Sequence, residues 1–413
     1  MAKNFKTIYE DTGDSSAQIQ SVFIKEESSR GVFVAPVGTD FLFTLSGGGI
    51  KFTQPKTSSP HRSGRHHLSV IKSKTETSWS LPTYFNIDTL LGAAAAAEVD
   101  LAFRLLHKSL LGAEDLAAGA EYTAATPNVT FTMLENGDKW AKQSVGGFVS
   151  DCKMSFPGDG QAKCDWSGMA KTSNLIGIGK LTTTDFDGGN VITVQAGEGK
   201  RFRVGGYVML VEADGLRRSN DTSDGLPRLI TAISGDTLTI DGSVLADANA
   251  SSAVIYVSYY EPLNPSGINN PQVGLQGSIV ISGYSLLDCF RNLEIDFANN
   301  HELKNNCFGE EGLGGALFTP GGRLDIKVTA EISMNHKLVE FLNEVRDDVT
   351  GQDLTLILGD STSRYLQIDL PLVIFSTPSV DVPESGSIPV TLESAAVVQS
   401  AIDALDEITL HYK

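Results

Sequence analysis

The stretch LDIKVTAEISMNHKLVEFLNEVRDD, residues 324–348, combines two structural periods in one short segment. Apolar and polar residues alternate from Leu324 to Ile332, which predicts a strand that is buried on one face. Helical spacing follows, with one apolar stripe formed by Leu338, Phe341, Leu342 and Val345. No residue types of an active site gather at the junction, so the segment predicts a strand and a helix with a structural role.

A looser copy of this unit begins near residue 68. The segment LSVIKSKTETSW (68–79) predicts a strand, and a helical stretch follows at 86–106 with Asp88 as a possible cap. The alternation separates two groups of side chains: Lys72, Lys74 and Glu76 on one face, Ile71 and Trp79 on the other. The unit of the second half therefore has a partial counterpart in the first.

Two hairpins follow the helix in both halves of the chain. Their predicted turns are ENGD (135–138) and FPGDGQ (156–161) in the first half, and GDSTS (359–363) and VPESGS (382–387) in the second. The shared order of strand, helix, hairpin and long hairpin predicts an internal duplication. Two unrelated β-rich domains are the alternative, because sequence identity between the halves is low.

Composition and glycine-rich turns indicate a folded, strand-rich chain. Hydrophobic residues make up 41% of the 413 residues and charged residues 20%, as in soluble globular proteins. The predicted fold class is mainly β (α+β): two β-sandwich or barrel domains, each with one flanking helix, plus an inserted small all-β domain. The expected segments are an N-terminal arm (1–22), a first half (23–174), the insert (175–265) and a second half (266–413).

The charge balance is strongly acidic. Fifty acidic residues against thirty-two basic ones give a net charge of −18, which opposes sequence-independent binding to a phosphate backbone. The apolar stretch at 90–106 is interrupted by Glu98, Asp100 and Arg104, so no membrane helix is expected. The polar N-terminus lacks the pattern of a secretory signal, which predicts synthesis and residence in a cytoplasm.

The residue patterns predict no enzyme, metal site or cofactor. His66 and His67 lie beside Arg62 and Arg65 in a polar loop, where adjacent histidines would point opposite ways, and a cationic loop is the better interpretation. Four isolated histidines are expected to be structural: His107, His301, His336 and His411. Four cysteines without C-x-x-C spacing are expected to be buried apolar side chains: Cys152, Cys164, Cys289 and Cys307.

A duplicated, strand-rich chain without an active site favours a role in assembly. Open sheet edges seek pairing, and closure into a ring of subunits removes them. Three chains with two similar halves each, and about four barrel strands per half, would give on the order of 24 strands, more than in porins. An acidic lumen of that width would let a nucleic acid pass without holding it.

Three segments carry a resemblance to a known family: GGGIKFTQPKTSSPHRSGRHH (47–67), GFVSDCKMSF (147–156) and DIKVTAEISM (325–334). Together with the repeated strand and helix order, they resemble the major tail tube proteins of long non-contractile-tailed bacteriophages, in the form with two fused tube domains. The resemblance covers about 23–174 and 273–413. It implies tail-tube-like domains whose strands line an inner barrel, in homo-oligomeric rings of trimeric, pseudo-sixfold type that stack into the conduit for genome ejection.

The resemblance also implies a location and partners. The chain would assemble in the host cytoplasm and reside in the virion tail, beside the tape measure, tail terminator and distal tail proteins, with phage DNA passing through the lumen and no membrane contact. The expected lumen face carries Lys72, Lys74, Glu76, Asp325, Lys327 and Glu331. The loop at 46–67 and the arm 1–22 would bridge rings, and the candidate loop residues are Lys51, Lys56, His61, Arg62, Arg65, His66 and His67.

Two other classes of function stay open at the level of sequence. A carbohydrate-binding or adhesive β-sandwich protein is the main alternative, although no aromatic platform is evident among the three tryptophans. A glycan hydrolase with paired carboxylates is the other, although no pair stands out. The 175–265 insert departs from the minimal tube pattern and is expected to decorate the outer surface.

Overall fold

A computed structural model of the chain provides the structure. It describes residues 5–15, 20–58, 62–63, 66–67, 69–72, 75–85, 101–116, 120–125, 129–182, 189–212, 227–242, 254–262, 264–266, 277–281, 284–285, 290–303, 318–319, 324–347, 351–360, 364–380, 382–398 and 407–412.

The described chain is mostly strand, so the expectation of a mainly β fold is confirmed. Its helices are α1 (Phe5–Glu10), α2 (Leu101–Leu111) and α3 (His336–Asp347), with 3-10 turns at Gly38–Asp40 and Glu198–Arg201. The strands of the first part are β1 (Ser21–Glu26), β2 (Phe41–Leu42), β3 (Gly49–Thr53), β4 (Lys56–Ser58), β5 (Arg62–Ser63), β6 (His66–His67), β7 (Val70–Lys72), β8 (Glu76–Tyr84), β9 (Gly112–Asp115), β10 (Ala120–Ala124), β11 (Phe131–Asn136), β12 (Ala141–Pro157), β13 (Lys163–Ala170) and β14 (Thr172–Ile176). The middle strands are β15 (Gly179–Lys180), β16 (Val191–Thr193), β17 (Tyr207–Glu212), β18 (Arg228–Ser234), β19 (Thr237–Ile240) and β20 (Ile255–Tyr259). The last strands are β21 (Gly277–Ile281), β22 (Tyr284–Ser285), β23 (Phe290–Ala298), β24 (Glu302–Leu303), β25 (Phe318–Thr319), β26 (Asp325–Ser333), β27 (Gln352–Asp360), β28 (Arg364–Phe375), β29 (Ser379–Val380), β30 (Pro389–Val397) and β31 (Thr409–Tyr412).

One antiparallel sheet runs through both halves of the chain, and we call it the long sheet. Its strand order is β3, β8, β13, β12, β23, β26, β30, β29. The two halves meet where β12 pairs with β23, from Asp151 opposite Ala298 to Pro157 opposite Asn292. The halves are therefore joined by main-chain hydrogen bonds and not only by a linker.

Two further sheets cover one face of the long sheet. The first cover sheet has the order β2, β1, β11, β12, β14. The second has the order β22, β21, β27, β28, β31, β10, β9. The long strands β12 and β28 each belong to a cover sheet at one end. At the other end β12 pairs with β13 and β28 pairs with β30, which are strands of the long sheet. A register shift marks the transition in both strands.

The main core fills the space between these layers. Helix α2 lies within it, and Phe103, Leu106 and Leu110 are at most 1% exposed. Trp79 lies across Gly168, where an added Cβ would be 2.6 Å from the indole and 2.0 Å from a carbonyl oxygen, so only glycine fits there. Close packing of this kind fixes the cover sheets over the long sheet.

The middle strands form a separate six-stranded antiparallel sheet, ordered β15, β20, β17, β18, β19, β16. A bridge between Leu181 and Val194 joins its two edge strands, with Thr182 N–H donating to the Thr193 carbonyl at 2.9 Å. Hydrogen bonds therefore run around all six strands, and the edges are closed. This barrel packs on the outside of the first cover sheet, where Gln143 exchanges two 2.7 Å hydrogen bonds with the Tyr207 backbone.

The N-terminal arm docks on its own chain. Phe5 is 4% exposed in the core of the barrel, and Tyr9 donates to Glu198 at 2.6 Å. Burial, followed by this hydrogen bond, raises the pKa of Tyr9 to about 12. Asp11 pairs with Lys139 at 2.9 Å. Residues 5–15 thus fasten the barrel to the turn after β11 of the same chain, and the bridging of rings that the resemblance implies for the arm 1–22 stays a prediction.

Several local predictions are confirmed and others need correction. The alternation in β26, the apolar stripe of α3 and the predicted hairpins are present. The first helix begins in the described residues at Leu101 and continues to Leu111, beyond the predicted end at 106, while 86–100, with Asp88, lie outside them. Ile71 is 54% exposed, because β7 pairs with β4 in an arm away from the core.

Candidate functional site

The uncovered face of the long sheet is polar and acidic. Strand alternation turns the apolar residues toward the core, so that β8, β13, β23 and β26 expose every second side chain. Among the described residues this open face holds eight carboxylates, four lysines and Arg291. The carboxylates are Glu76, Asp151, Asp165, Glu294, Asp296, Asp325, Glu331 and Glu393, and the lysines are Lys51, Lys153, Lys163 and Lys327.

Opposite charges alternate across the middle of the open face. Asp165, Lys153, Asp296 and Lys327 lie opposite one another on four consecutive strands. Lys153 donates to Glu294 at 2.8 Å, and this hydrogen bond raises the pKa of the lysine. Such exposed pairs contribute little to stability, about 0–1 kcal/mol each, but they hold the charged side chains against the sheet.

Four of the six predicted lumen residues lie on this one face. Glu76 is on β8, and Asp325, Lys327 and Glu331 are on β26. Lys72 belongs to β7, away from the long sheet, and nothing further is described of its side chain. Lys74 lies outside the described residues.

The predicted loop at 46–67 contains a strand of the long sheet and part of a projecting arm. Lys51 belongs to β3 and faces the open side, whereas Lys56 is exposed at the base of the arm. The arm is built from two antiparallel pairs, β4 with β7 and β5 with β6. Arg62, His66 and His67 lie in its outer pair, while His61 and Arg65 are outside the described residues.

The two halves share one pattern of strand pairing, which sequence order only suggested. In the first cover sheet β1, β11, β12 and β14 are neighbours, and in the second β21, β27, β28 and β31 are neighbours in the same order. The hairpins even share a bulge, between Phe131 and Met133 in one and between Gln352 and Leu354 in the other. Positions in the halves can therefore be matched residue by residue.

The junction inside the chain is well packed. Phe297 on β23 and Met154 on β12 are 2% and 0% exposed. Beside them, the side-chain amide of Asn299 donates to the Leu110 carbonyl at 2.9 Å and to the Val149 carbonyl at 3.2 Å. The end of α2, β12 and β23 are thus tied at one point.

The outer ends of the long sheet expose the counterparts of these buried residues. Phe52 on β3 matches Phe297 by pairing position and is 43% exposed. Val380 on β29 matches Met154 and is 44% exposed, and Val382 beyond it is 77% exposed. Within the described residues β3 pairs only with β8, and β29 only with β30, so both ends are open strand edges.

The cover layer shows the same difference. Leu410 on β31 is fully buried against the first half, whereas its counterpart on β14, Leu175, is 45% exposed. On α3, Val339 is 46% exposed. Sequence reasoning missed these edge residues because an isolated Phe or Val in a strand gives no sign of which neighbour it lacks.

The buried histidine of the core has a structural environment. His107 on α2 contacts the Phe103 carbonyl through Nδ1 at 2.9 Å and the Tyr412 hydroxyl through Nε2 at 2.8 Å. Burial lowers its pKa to about 4, so the ring is neutral near pH 7 and its Nε2 accepts a hydrogen bond from the tyrosine hydroxyl. The expectation of a structural histidine is confirmed here.

The described residues offer little for chemistry. They contain no group of three or more His, Cys, Asp or Glu side chains that could hold a metal ion. Cys152 and Cys164 are buried, as expected, and burial raises the pKa of the Cys164 thiol; Cys289 and Cys307 are outside the described residues. No helix in the described part of the chain is long and apolar enough to cross a membrane.

Comparison with known proteins adds no relative. The sequence matches no protein-family model, and it matches no curated protein.

Proposed function

We propose that the chain is a structural subunit of a phage tail tube, in which copies join side by side into rings and the rings stack into a conduit for DNA. The observation that carries this proposal is the long sheet, with an acidic open face and, within the described residues, an open strand edge at each end. A sheet of this form is completed when further copies extend it until it closes.

The charge of the open face suits the passage of DNA. Eight carboxylates outnumber the basic side chains there, so a phosphate backbone would be repelled and would not be held at any step. Three of the five basic groups on this face pair with carboxylates: Arg291 with Glu331 at 3.2 Å, Lys153 with Glu294 at 2.8 Å and Lys327 with Glu393 at 3.5 Å. Isolated cations that could trap a phosphate are thus few on this wall.

The number of strands suits a wide channel. One chain supplies eight strands to the long sheet, so three chains would supply about 24, compared with the 16–18 strands that already leave an aqueous channel in porins. The cover sheets, the helices and the barrel would then lie outside this wall. The barrel's attachment to the outside of the first cover sheet agrees with a place on the tube exterior.

The projecting arm would contact the next ring. Replacing 56–72 by a short turn removes β4 to β7 and keeps β3 and β8, which the wall requires. We expect the shortened chain to form single rings that do not stack.

Electron microscopy of the purified chain tests the proposal. Rings or tubes with a stain-filled centre are expected from the full chain and single rings from the arm deletion. Monomers or closed dimers under all conditions would contradict a tube function. Specific binding on a glycan array without rings would favour an adhesive protein instead.

A further inference from the structure

We infer that two copies of the chain dock head to tail, with β3 of one copy pairing antiparallel with β29 of the next, Lys51 opposite Ser379 and Ile50 opposite Val380. The inference rests on the proposed function for its partner, a second copy, but the register comes from the junction inside the chain. Sequence reasoning assigned Lys51 to the loop between rings and gave no role to Ile50, Ser379 or Val380.

The register follows from the matched positions. At the internal junction Lys153 lies opposite Asp296, and Met154 opposite Ile295. Ser379 and Val380 match Lys153 and Met154, because both pairs face equivalent residues of the neighbouring strand, β30 or β13.

On the other side of the interface, β3 has the place of β23. Lys51 and Ile50 match Asp296 and Ile295, since β3 pairs with β8 as β23 pairs with β26. At the internal junction β12 lies against β23. If β29 lies against β3 in the same way, a single register is defined. A shift by a single residue would turn Val380 to the open face.

Apolar complementarity supports this register. Phe52 and Val380 lie opposite the buried Thr77 and Val390 and so face the core side of the sheet, yet they are 43% and 44% exposed. Val382 follows two residues after Val380 and is 77% exposed. Docking places them where Phe297, Met154 and Phe156 lie at the internal junction, each at most 2% exposed. In the described part of the chain, these exposed apolar positions on the open edges match positions that the same arrangement buries inside the chain.

Polar complementarity supports it as well. Gln54 follows β3 as Asn299 follows β23, and both carry a side-chain amide. At the internal junction the amide of Asn299 donates to the end of α2 and to β12. The amide of Gln54 would donate in the same way to the end of α3 and to β28 of the next copy, where Phe375 has the position of Val149.

The cover layer would close over the same seam. Leu175 on β14 has the position of Leu410 on β31. Leu410 is buried near the contact between α2 and Tyr412 of the same strand. Helix α3 has the position of α2, and its exposed Val339 faces away from its own core. Docking thus brings α3 of the next copy over β14 of the copy that contributes β3.

Disulfide cross-linking tests the register. We expect the double variant Lys51→Cys with Ser379→Cys to form covalent oligomers on mild oxidation, since directly opposed antiparallel residues lie within disulfide range. The matched control is Thr53→Cys with Ser379→Cys, which keeps the same face but is displaced by two residues and should cross-link about tenfold less. Equal or greater cross-linking of the control would overturn the register.

Microscopy of the same samples separates this inference from the proposed function. Rings that form without the expected cross-link would overturn the inferred interface, but the proposed tube function would still stand. Cross-linked linear oligomers without rings would support the inferred interface and contradict the proposed tube function. Neither rings nor cross-links would contradict both.

A second variant does not depend on cysteine chemistry. Phe52→Ser changes a partly exposed side chain, so the subunit should fold, while association should weaken about tenfold or more through the loss of apolar burial. The control Val191→Ser changes a side chain of similar exposure on the barrel, away from both edges, and should associate normally. Unchanged association of Phe52→Ser, measured by sedimentation velocity, would overturn the interface.

Discussion

The imidazole of His107 connects α2 in the first half to β31, the last strand of the chain. It lies among the rings of Phe103, Trp166, Tyr122 and Tyr412, whose centroids are 4.7 to 5.5 Å away. A charged imidazolium in this place would lose its water shell without gaining a carboxylate in contact. The neutral ring is therefore the form that packs.

The free energy of unfolding should depend on pH through this residue. Its folded pKa of about 4 lies below the ordinary 6.5, so between these values the unfolded chain binds one more proton. The stabilisation from the neutral ring is fully present above pH 6.5 and is lost as the pH falls toward 4. The total loss in the free energy of unfolding is about 3 kcal/mol. Urea unfolding at pH 7 and pH 5 measures it.

Substitution isolates the effect. His107→Leu should lower stability at pH 7, because the buried Tyr412 hydroxyl loses its acceptor, and should reduce the dependence on pH. The exposed His336 provides the control: His336→Gln should keep the wild-type dependence. An unchanged slope in His107→Leu would show that other groups cause it.

The hairpin β9–β10 is the element that the sequence did not reveal. It follows α2 in the first half, yet β10 pairs with β31 of the second half. Its position is fixed by Glu114, which accepts from Arg104 Nε at 3.0 Å and from the Tyr122 hydroxyl at 2.9 Å. Both halves thus contribute strands to the second cover sheet.

Glu114→Ala should destabilise the chain by about 2 kcal/mol, because it leaves a half-buried guanidinium and a buried hydroxyl without their acceptor. The matched change Glu26→Ala removes the exposed pair with Lys108 and should cost about 0.5 kcal/mol. Chemical denaturation compares the two variants. Equal losses of stability in the two variants would show that the Glu114 contacts contribute no more than an exposed ion pair.

Local elements were predictable and their partners were not. The alternation of β26 and the stripe of α3 depend on burial along one segment, which a short window of sequence records. The exchange of β10 into the other half joins residues about 290 positions apart, and Glu121 and His411 then lie opposite each other. Nothing within either segment specifies such a partner.

At the scale of the whole molecule, the barrel covers only one of two matching surfaces. Beneath it the first cover sheet presents Phe23, Leu134, Ala141 and Ile176. The matching positions of the second cover sheet are Val280, Thr355, Gln367 and His411. The covered surface is apolar and the uncovered one is mostly polar, which is the difference that solvent exposure requires.

Replacing 178–260 by a short linker should therefore expose an apolar surface and cause aggregation. Adding Leu134→Thr and Ala141→Gln gives this surface the side chains of its counterpart and should restore a soluble chain. Size-exclusion chromatography of the two deletions tests the expectation. If both are equally soluble, the apolar surface is not what the barrel protects.

The overall symmetry was only partly available from the sequence. Turn placement predicted two similar halves, and their strand pairing agrees with that element order. The candidate face was found from the alternation in β26, but its continuation across β12 and β23 was not, because pairing between halves depends on tertiary contacts. The free edges became visible only once each exposed residue could be compared with a buried counterpart.

The pairing of β31 with both β10 and β28 affects how the protein can be made. Thr409–Tyr412 lies about 290 residues after β10, so the second cover sheet cannot be completed until long after the residues of the first half have been synthesised. A chain that stops early lacks Tyr412 and leaves the surface around α2 uncovered. Chains truncated before Thr409 should then remain loosely folded and be open to proteolysis.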